Sequence, residues 1–407
     1  MPSIKNAFRA THGTRHALHE DGEQPSFYNL LQESPGALKH RIRSLHGPAN
    51  RRRVAAALVV RAGLIMVFAI AFINAFRAAF GDQASAPAVA FFVMLLCLRF
   101  VGFNYRFADN IAALAVVCAV LTVAPLAAMS AQPAVRLVIH LIALLVIFVV
   151  GADDARYGNG GTYGFIYTYL AGMLVADPLP PVQVPARVAT MAAGFAVCAL
   201  VHARSRRRIM STDRRLIDAL RDIDLHSTRT RYQVRAALGI SLSIFIAELL
   251  GFERTMWVGI VASSMLTPHG FKVADRMGWR VGFTFVGVCV FTLVFPSLPP
   301  ALAAVFPLVG GMGNGISATY QWQQVFNTMG ALLVGSAALG SVGAAAFWRM
   351  ADTLFAVIAA FALSAVMSLV ATRGFKLGVP LYEEQIALPC KNRSRICNLL
   401  QRGSLLK

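Results

Sequence analysis

The chain has 407 residues, of which 57% are hydrophobic and only 14% are charged, and its mean hydropathy is +0.60. A water-soluble globular protein carries roughly a quarter charged residues, so this composition excludes that class and predicts a protein embedded in a lipid bilayer. The formal net charge of +19 comes from basic residues in the tails and between apolar runs, a pattern typical of membrane orientation and not of nucleic-acid binding.

The chain begins with a polar, basic segment, residues 1–53, which we expect to be a cytoplasmic tail. No signal peptide is expected, because the first apolar run begins only after Arg51, Arg52 and Arg53. Within this tail, the segment from Pro35 to His46 predicts a short basic helix lying on the membrane surface.

Twelve apolar runs follow, most of them near the 20 residues or so that cross a hydrocarbon core. Six runs predict a first transmembrane repeat over 54–203, and a charged cytoplasmic linker follows at 204–231. Six more predict a second repeat over 232–371, before a basic cytoplasmic tail at 372–407. The runs cover 54–79, 87–103, 110–130, 135–151, 161–177, 187–203, 232–251, 256–267, 281–297, 299–313, 325–346 and 352–371.

The two groups of runs resemble each other through short segments that occur in the same order. The matching pairs are Val60-Arg61-Ala62 with Val234-Arg235-Ala236, Phe107-Ala108-Asp109 with Val273-Ala274-Asp275, and Thr162-Tyr163 with Thr319-Tyr320. An even number of helices in each group leaves both groups in the same orientation. The predicted fold is therefore an all-α polytopic membrane protein with about 12 transmembrane helices in two parallel six-helix repeats.

Loop charges predict the orientation. If the N-terminus is cytoplasmic, the inner loops collect most of the arginines and the outer loops hold isolated ones such as Arg136. Because cytoplasmic loops carry the excess of Lys and Arg, we expect both termini in the cytoplasm.

Glycine-rich segments stand at corresponding places in the two repeats, at 158–161 and 310–315. Interrupted helices at such places are a sequence sign of a transporter's binding site, because unwound backbone at membrane depth must line a cavity or be buried. The alternative is a tight cytoplasmic turn beside an interfacial aromatic belt. The candidate substrate-binding residues are Asn159, Tyr163, Asn314, Tyr320, Trp322, Gln323, Gln324 and Asn327.

Three charged residues of the second repeat are further candidates. Arg276 and Arg280 lie one helical turn apart and predict an anion-collecting vestibule at the cytoplasmic mouth, although an ordinary positive-inside loop explains them equally well. Glu248 is the candidate proton-coupling carboxylate inside a helix. An ionised carboxylate is costly in hydrocarbon, so Glu248 should face the bundle interior or be protonated part of the time; the alternative places it in the headgroup region.

The second repeat resembles the fusaric-acid-resistance and aromatic-acid-exporter family over about 232–371. The matching features are Trp257, Pro268-x-Gly270, Arg276, the run from Arg280-x-Gly282 to Gly287, and Asn327-Thr328-x-Gly330. The likeness over 54–203 is looser, since the tryptophan and the Pro-x-Gly are missing there. Many members of the family carry large cytoplasmic domains after their helices, whereas here only the linker and a short tail follow.

This resemblance implies a multi-pass protein of the bacterial inner membrane that exports aromatic carboxylates, often beside a periplasmic membrane-fusion protein. We therefore expect secondary efflux of a small organic acid through the lipid bilayer, driven by the proton gradient or by the anion's own gradient. A passive organic-anion channel and a membrane-embedded enzyme of lipid or glycan metabolism are the alternatives. No Gly-Lys dipeptide of a P-loop occurs. We expect no enzymatic activity, cofactor, metal or nucleic-acid partner. The sequence fits either a monomer or a homo-oligomer.

Overall fold

The computed structural model describes residues 25–45, 47–98, 103, 105–151, 159–204, 214–224, 227–266 and 273–373. These residues form fifteen α-helices and three short 3-10 turns, and no strand occurs among them. The helices are α1 (Phe27–Gln32), α2 (Pro35–Ser44), α3 (Pro48–Phe80), α4 (Ser85–Leu98), α5 (Phe107–Met129), α6 (Pro133–Gly151), α7 (Asn159–Ala176), α8 (Val184–Arg204), α9 (Leu216–Arg221), α10 (Thr228–Leu249), α11 (Thr255–Leu266), α12 (Val273–Val294), α13 (Pro300–Ile316), α14 (Tyr320–Leu339) and α15 (Val342–Arg373).

Every predicted apolar run overlaps a helix among the described residues. Seven helices in the described part of the chain are long and apolar enough to cross a membrane, judged by length and composition. These features support a multi-pass α-helical membrane protein. The count of twelve crossing helices stays a prediction, since α11, for example, has only 12 residues.

The outer surface of the helix bundle is apolar. Large side chains such as Val67, Leu293 and Phe361 are 66%, 75% and 61% exposed. Contiguous apolar surface of this kind is uncommon on a soluble monomer and is the surface that a bilayer covers. The helices therefore bury polar groups inward and present apolar groups outward.

Several helix pairings recur between the two halves of the chain. Within the halves, α5 packs on α7 as α12 packs on α14, and α4 packs on α8 as α11 packs on α15. Between the halves, α10 packs against α6 and α3 packs against α13. A duplicated arrangement would give such matching pairs, although the repeat itself remains a prediction.

The glycine run of the second half lies inside a helix, so the prediction of an unwound segment there is wrong. Helix α13 continues through 310–315 to Ile316. A Cβ atom on Gly311 would stand 1.6 Å from the end of Met66, and one on Gly313 would stand 2.2 Å from the ring of Phe326. The glycines therefore allow α13 to pack closely on α3 and α14. In the first half, Gly158 lies outside the described residues and α7 begins at Asn159.

The short basic helix predicted before the first long helix is present as α2. Leu30 of α1 and Leu38 of α2 are buried against Val54 and Leu58 of α3. An ion pair of 2.6 Å between Glu33 and Arg41 joins the two short helices. This end of the chain is therefore packed on the first long helix.

Candidate functional site

Polar side chains collect in one place in the second half, between helices α11, α12, α14 and α15. The set is buried or half-buried along its whole length. We call it the polar column, and its members are Ser264, Arg276, Arg280, Thr284, Tyr320, Gln324, Thr328, Arg349 and Asp352.

One end of the polar column is built around Arg276 at the start of α12. Its guanidinium donates to the backbone carbonyl of Ser264, at the end of α11, and lies 5.2 Å from the ring centre of Tyr320. The Tyr320 hydroxyl is in turn 3.4 Å from the Ser264 hydroxyl. These contacts join α11, α12 and α14 around a single cation.

The middle of the column lies between α12 and α14. Arg280 donates to the side-chain oxygen of Gln324. Thr284 follows one turn after Arg280, and Thr328 follows one turn after Gln324, so each pair shares a helix face. The two helices approach closely at Gly287, where an added Cβ would lie 2.9 Å from the Val325 carbonyl oxygen and from the Thr328 Cβ.

The far end of the column is formed by α15. The Arg349 guanidinium lies 5.2 Å from the ring centre of Trp257, and Trp257 packs on the backbone of α14 at Gly335. Asp352 follows one turn after Arg349 and is fully buried. Arg280 and Asp352 are electrostatic neighbours of Arg349, so these three side chains belong to one charged group.

Several polar atoms of the column have no hydrogen-bond partner in the part of the chain that the structure describes. They are Nε of Arg280, the hydroxyls of Thr284 and Thr328, Nε and Nη1 of Arg349, and both carboxylate oxygens of Asp352. Leaving a buried donor or acceptor unsatisfied costs about 1–3 kcal/mol. Most of these atoms are donors, which is the arrangement that an acceptor-only ligand such as a carboxylate satisfies.

The structure brings four of the predicted site residues together: Tyr320, Gln324, Arg276 and Arg280. The two arginines are only 4% and 5% exposed, so they lie inside the helix packing and not on an open vestibule. Their role in anion recognition stays a prediction, but their position is interior.

The other predicted substrate-binding residues lie apart from this group. Gln323 donates to the backbone carbonyl of Ser317 in the preceding loop. Tyr163 is buried in the first half, stacked on Phe103 with ring centres 5.2 Å apart. The side chains of Asn314, Trp322 and Asn327 are exposed. The side chain of Asn159 is outside the part that the structure describes.

Glu248, the predicted proton-coupling carboxylate, lies in the last turn of α10 and lines a cavity together with Glu253 and Arg254. It forms an ion pair of 2.9 Å with Arg136 of α6, and the two side chains are 7% and 15% exposed. Sequence patterns gave no sign of this pair because the residues are far apart in the chain. Arg136 had been assigned to an outer loop, whereas it lies in the first turn of α6.

The sequence analysis missed Arg349 and Asp352. The predicted twelfth run began at residue 352, so Asp352 stood at a helix end, whereas α15 begins ten residues earlier at Val342. Glu248 is therefore not the only carboxylate inside a long helix. The available signal was the Arg-x-x-Asp spacing in an apolar segment, since ionisable residues within membrane helices are rare and usually functional.

No metal centre is visible in the described residues, where no three His, Cys, Asp or Glu side chains lie close enough together to hold an ion.

Comparison with known families agrees with the resemblance noted from the sequence. Residues 242–363 match the family described as fusaric acid resistance protein-like. The matched segment contains every member of the polar column. No match was found among curated proteins or among solved structures.

Proposed function

We propose that this chain, in which residues 242–363 form a fusaric acid resistance protein-like domain, exports small organic acids across the bacterial inner membrane. The family match supports a membrane transport function. The finer proposal is that the substrate is an aromatic carboxylate and that the polar column binds it. The observation that carries the proposal is the burial of three arginines with one carboxylate inside an apolar bundle.

The charge of the polar column favours an anion. Three guanidinium groups and one carboxylate leave two positive charges among side chains that are at most 5% exposed. Burying uncompensated charge costs several kcal/mol for each ion. A bound anion reduces this cost, so the empty site attracts anions and repels cations.

The chemistry of the donors favours a carboxylate. Guanidinium groups present parallel N–H donors that match the two oxygens of a carboxylate, and hydroxyls such as those of Thr284 and Thr328 add further donors. Two of the three arginines are stacked on aromatic rings, at Tyr320 and Trp257. We propose that the apolar body of an aromatic acid packs against these rings when its carboxylate binds the arginines.

The proposal includes an orientation with both termini in the cytoplasm. It is tested by single cysteines introduced as Gln83→Cys, Ser297→Cys and Thr212→Cys in whole cells. A membrane-impermeant maleimide should label the first two from the periplasm and leave the third unlabelled. Periplasmic labelling at position 212 would overturn this orientation.

Transport is tested with the purified full chain in proteoliposomes loaded with radiolabelled aromatic acids such as benzoate. Loss of benzoate from the vesicles should exceed that from protein-free vesicles, and other aromatic acids should compete with it. Neutral amides of the same shape should not compete. Equal release from both kinds of vesicle would refute the proposal.

The same vesicles separate an exporter from a passive anion channel. In a proton-coupled exporter, benzoate flux changes with the pH gradient when the membrane potential and the benzoate gradient are held fixed. In a channel, flux at fixed driving force does not respond to pH. A pH-independent, non-saturating flux would assign the chain to the channel class.

A further inference from the structure

We infer that Arg136 and the cavity beside it form a second carboxylate site, and that Glu248 occupies this site as an internal stand-in for the substrate. The inference deepens the proposed function and rests on it for the chemical class of the ligand. It concerns a different place in the molecule from the polar column, at the contact between the two halves.

The guanidinium of Arg136 is fixed by contacts that do not involve Glu248. Its Nε donates to the carbonyl oxygen of Ala128 over 3.1 Å, and Nη2 donates to that of Ala131 over 2.9 Å. The Ala128 carbonyl lies in the last turn of α5, where a helix leaves acceptors unsatisfied and carries partial negative charge, and the Ala131 carbonyl lies in the loop that follows. Arg136 therefore keeps its position when Glu248 moves away.

Glu248 is held less firmly. It accepts one hydrogen bond, from Nη1 of Arg136 over 2.9 Å, and its second oxygen is buried without a partner among the residues described. The residue lies in the last turn of α10, next to the helix end at Leu249. A carboxylate with one fixed bond and one unsatisfied oxygen is easier to displace than the anchored guanidinium that it faces.

A cavity of about 230 Å³ opens beside the ion pair. Val175, Phe252 and Met256 contribute apolar wall, and Glu253 and Arg254 line it together with Arg136 and Glu248. An apolar cavity of about 150 Å³ is large enough for benzene, so a single-ring acid fits this volume. The arrangement places an apolar wall and a fixed cation in one cavity, which are the two features that an aromatic monocarboxylate needs.

Exchange of one carboxylate for another leaves the local charge unchanged. If the substrate carboxylate takes the place of Glu248 on Arg136, the guanidinium stays paired throughout. The desolvation cost of an unpaired buried charge is then avoided at both stages. Arg136 lies on α6 and Glu248 on α10, so the exchange would also open the ion pair that joins the two halves.

The test measures benzoate binding to the full chain in nanodiscs. It is done in the wild-type background and in an Arg280→Gln background, where binding at the polar column is weakened. Glu248→Gln keeps the side-chain shape but removes the competing charge. It should lower the Kd for benzoate by about threefold or more in both backgrounds, a shift that titration calorimetry resolves. Benzamide, which has no charge, should show no such gain.

The matched control is Asp82→Asn, which removes the carboxylate of the exposed pair formed by Arg77 and Asp82. It should leave benzoate affinity unchanged. A second variant, Val175→Phe, reduces the cavity without touching the ion pair and should weaken benzoate binding.

A folded Glu248→Gln protein that binds benzoate no more tightly than its parent would overturn the inference. If that variant fails to fold, unchanged affinity in Val175→Phe has the same meaning. If the wild-type chain transports benzoate but Glu248→Gln does not bind it more tightly, this site is refuted and the proposed function stands. If Glu248→Gln binds benzoate more tightly but the wild-type chain does not transport it, the proposed function is refuted and this site stands.

Discussion

The two halves of the chain share several helix pairings but differ in the side chains at matched interior positions. When Asp109 is matched with Asp275, Leu114 of α5 stands at the place of Arg280 in α12, and Cys118 at the place of Thr284. Leu114 is completely buried and Cys118 is 5% exposed, so the first half has apolar side chains at these two positions. The second half has a guanidinium and a hydroxyl there.

A buried arginine in the last long helix of each half shows the same contrast. Arg187 of α8 is 4% exposed and donates to the Gln83 carbonyl over 3.0 Å. Arg349 of α15 is 3% exposed, and two of its nitrogens have no partner among the described residues. Among the described residues, the first-half arginine therefore donates to a backbone carbonyl, whereas the second-half arginine keeps two donors without a partner.

The largest expected effect concerns Arg349 and Asp352. Arg349 and Asp352 are buried neighbours of opposite charge on one face of α15, so removing either charge leaves the other less compensated, and an uncompensated buried charge costs several kcal/mol. Asp352→Asn and Arg349→Met should therefore each lower the Tm of the purified protein strongly. The double variant Arg349→Met/Asp352→Leu should lower the Tm by much less than the sum of the two single effects.

The exposed pair of Arg77 and Asp82 provides the control for that experiment. Exposed ion pairs contribute about 0–1 kcal/mol, so Asp82→Asn should leave the Tm almost unchanged. If Asp352→Asn were as stable as Asp82→Asn, the two residues would not compensate each other, and the contrast between the halves would lose its main electrostatic element.

A smaller effect is expected at the close approach of α12 and α14. Gly287→Ala places a methyl group 2.9 Å from the Val325 backbone and should cost about 1–3 kcal/mol, as overpacking does. Gly282 lies on the same helix with no atom near an added Cβ, so Gly282→Ala should be neutral or stabilise the helix by up to about 1 kcal/mol. Thermal unfolding of both variants checks this. Equal Tm values would show that α12 and α14 do not pack as described.

The smallest expected effect is on the pH dependence of transport. If Glu248 carries the coupling proton, Glu248→Gln should still transport benzoate, with a rate that no longer varies with pH. The other charged groups near this carboxylate are Arg136, Glu253 and Arg254, none of which is replaced. Efflux from vesicles over a series of pH values measures the effect. A wild-type pH profile in the variant would assign proton coupling to another residue, and Asp352 is then the next buried carboxylate to examine.

Much of the fold could be predicted from the sequence, because membrane helices are long runs of apolar residues. Each predicted run overlaps a helix of the described residues. Helix ends were harder to predict. Polar residues such as Arg51 and Arg349 can be part of a helix, so hydropathy placed the starts of α3 and α15 too late.

The site could be predicted only in part. Arg280 and Gln324 were both identified, but for separate roles, because a sequence does not show that α12 and α14 bring them into contact. The partner of Glu248 lies on another helix of the other half, which no local pattern indicates. The glycines of α13 were misinterpreted for a related reason, since glycine permits close helix packing as well as unwinding.

The central claim is that the polar column of the second half binds the transported anion, and that the equivalent space between α5 and α7 of the first half does not. It is tested most directly by comparing Arg280→Gln with Leu114→Met, its matched position in the first half, in benzoate efflux from proteoliposomes containing equal amounts of folded protein. A charge-assisted hydrogen bond contributes about 1.5–3 kcal/mol, so Arg280→Gln should reduce efflux at low benzoate concentration by about tenfold or more. Leu114→Met should stay within about twofold of the wild type, since volume-conserving core changes are well tolerated. Wild-type efflux by Arg280→Gln would contradict the account.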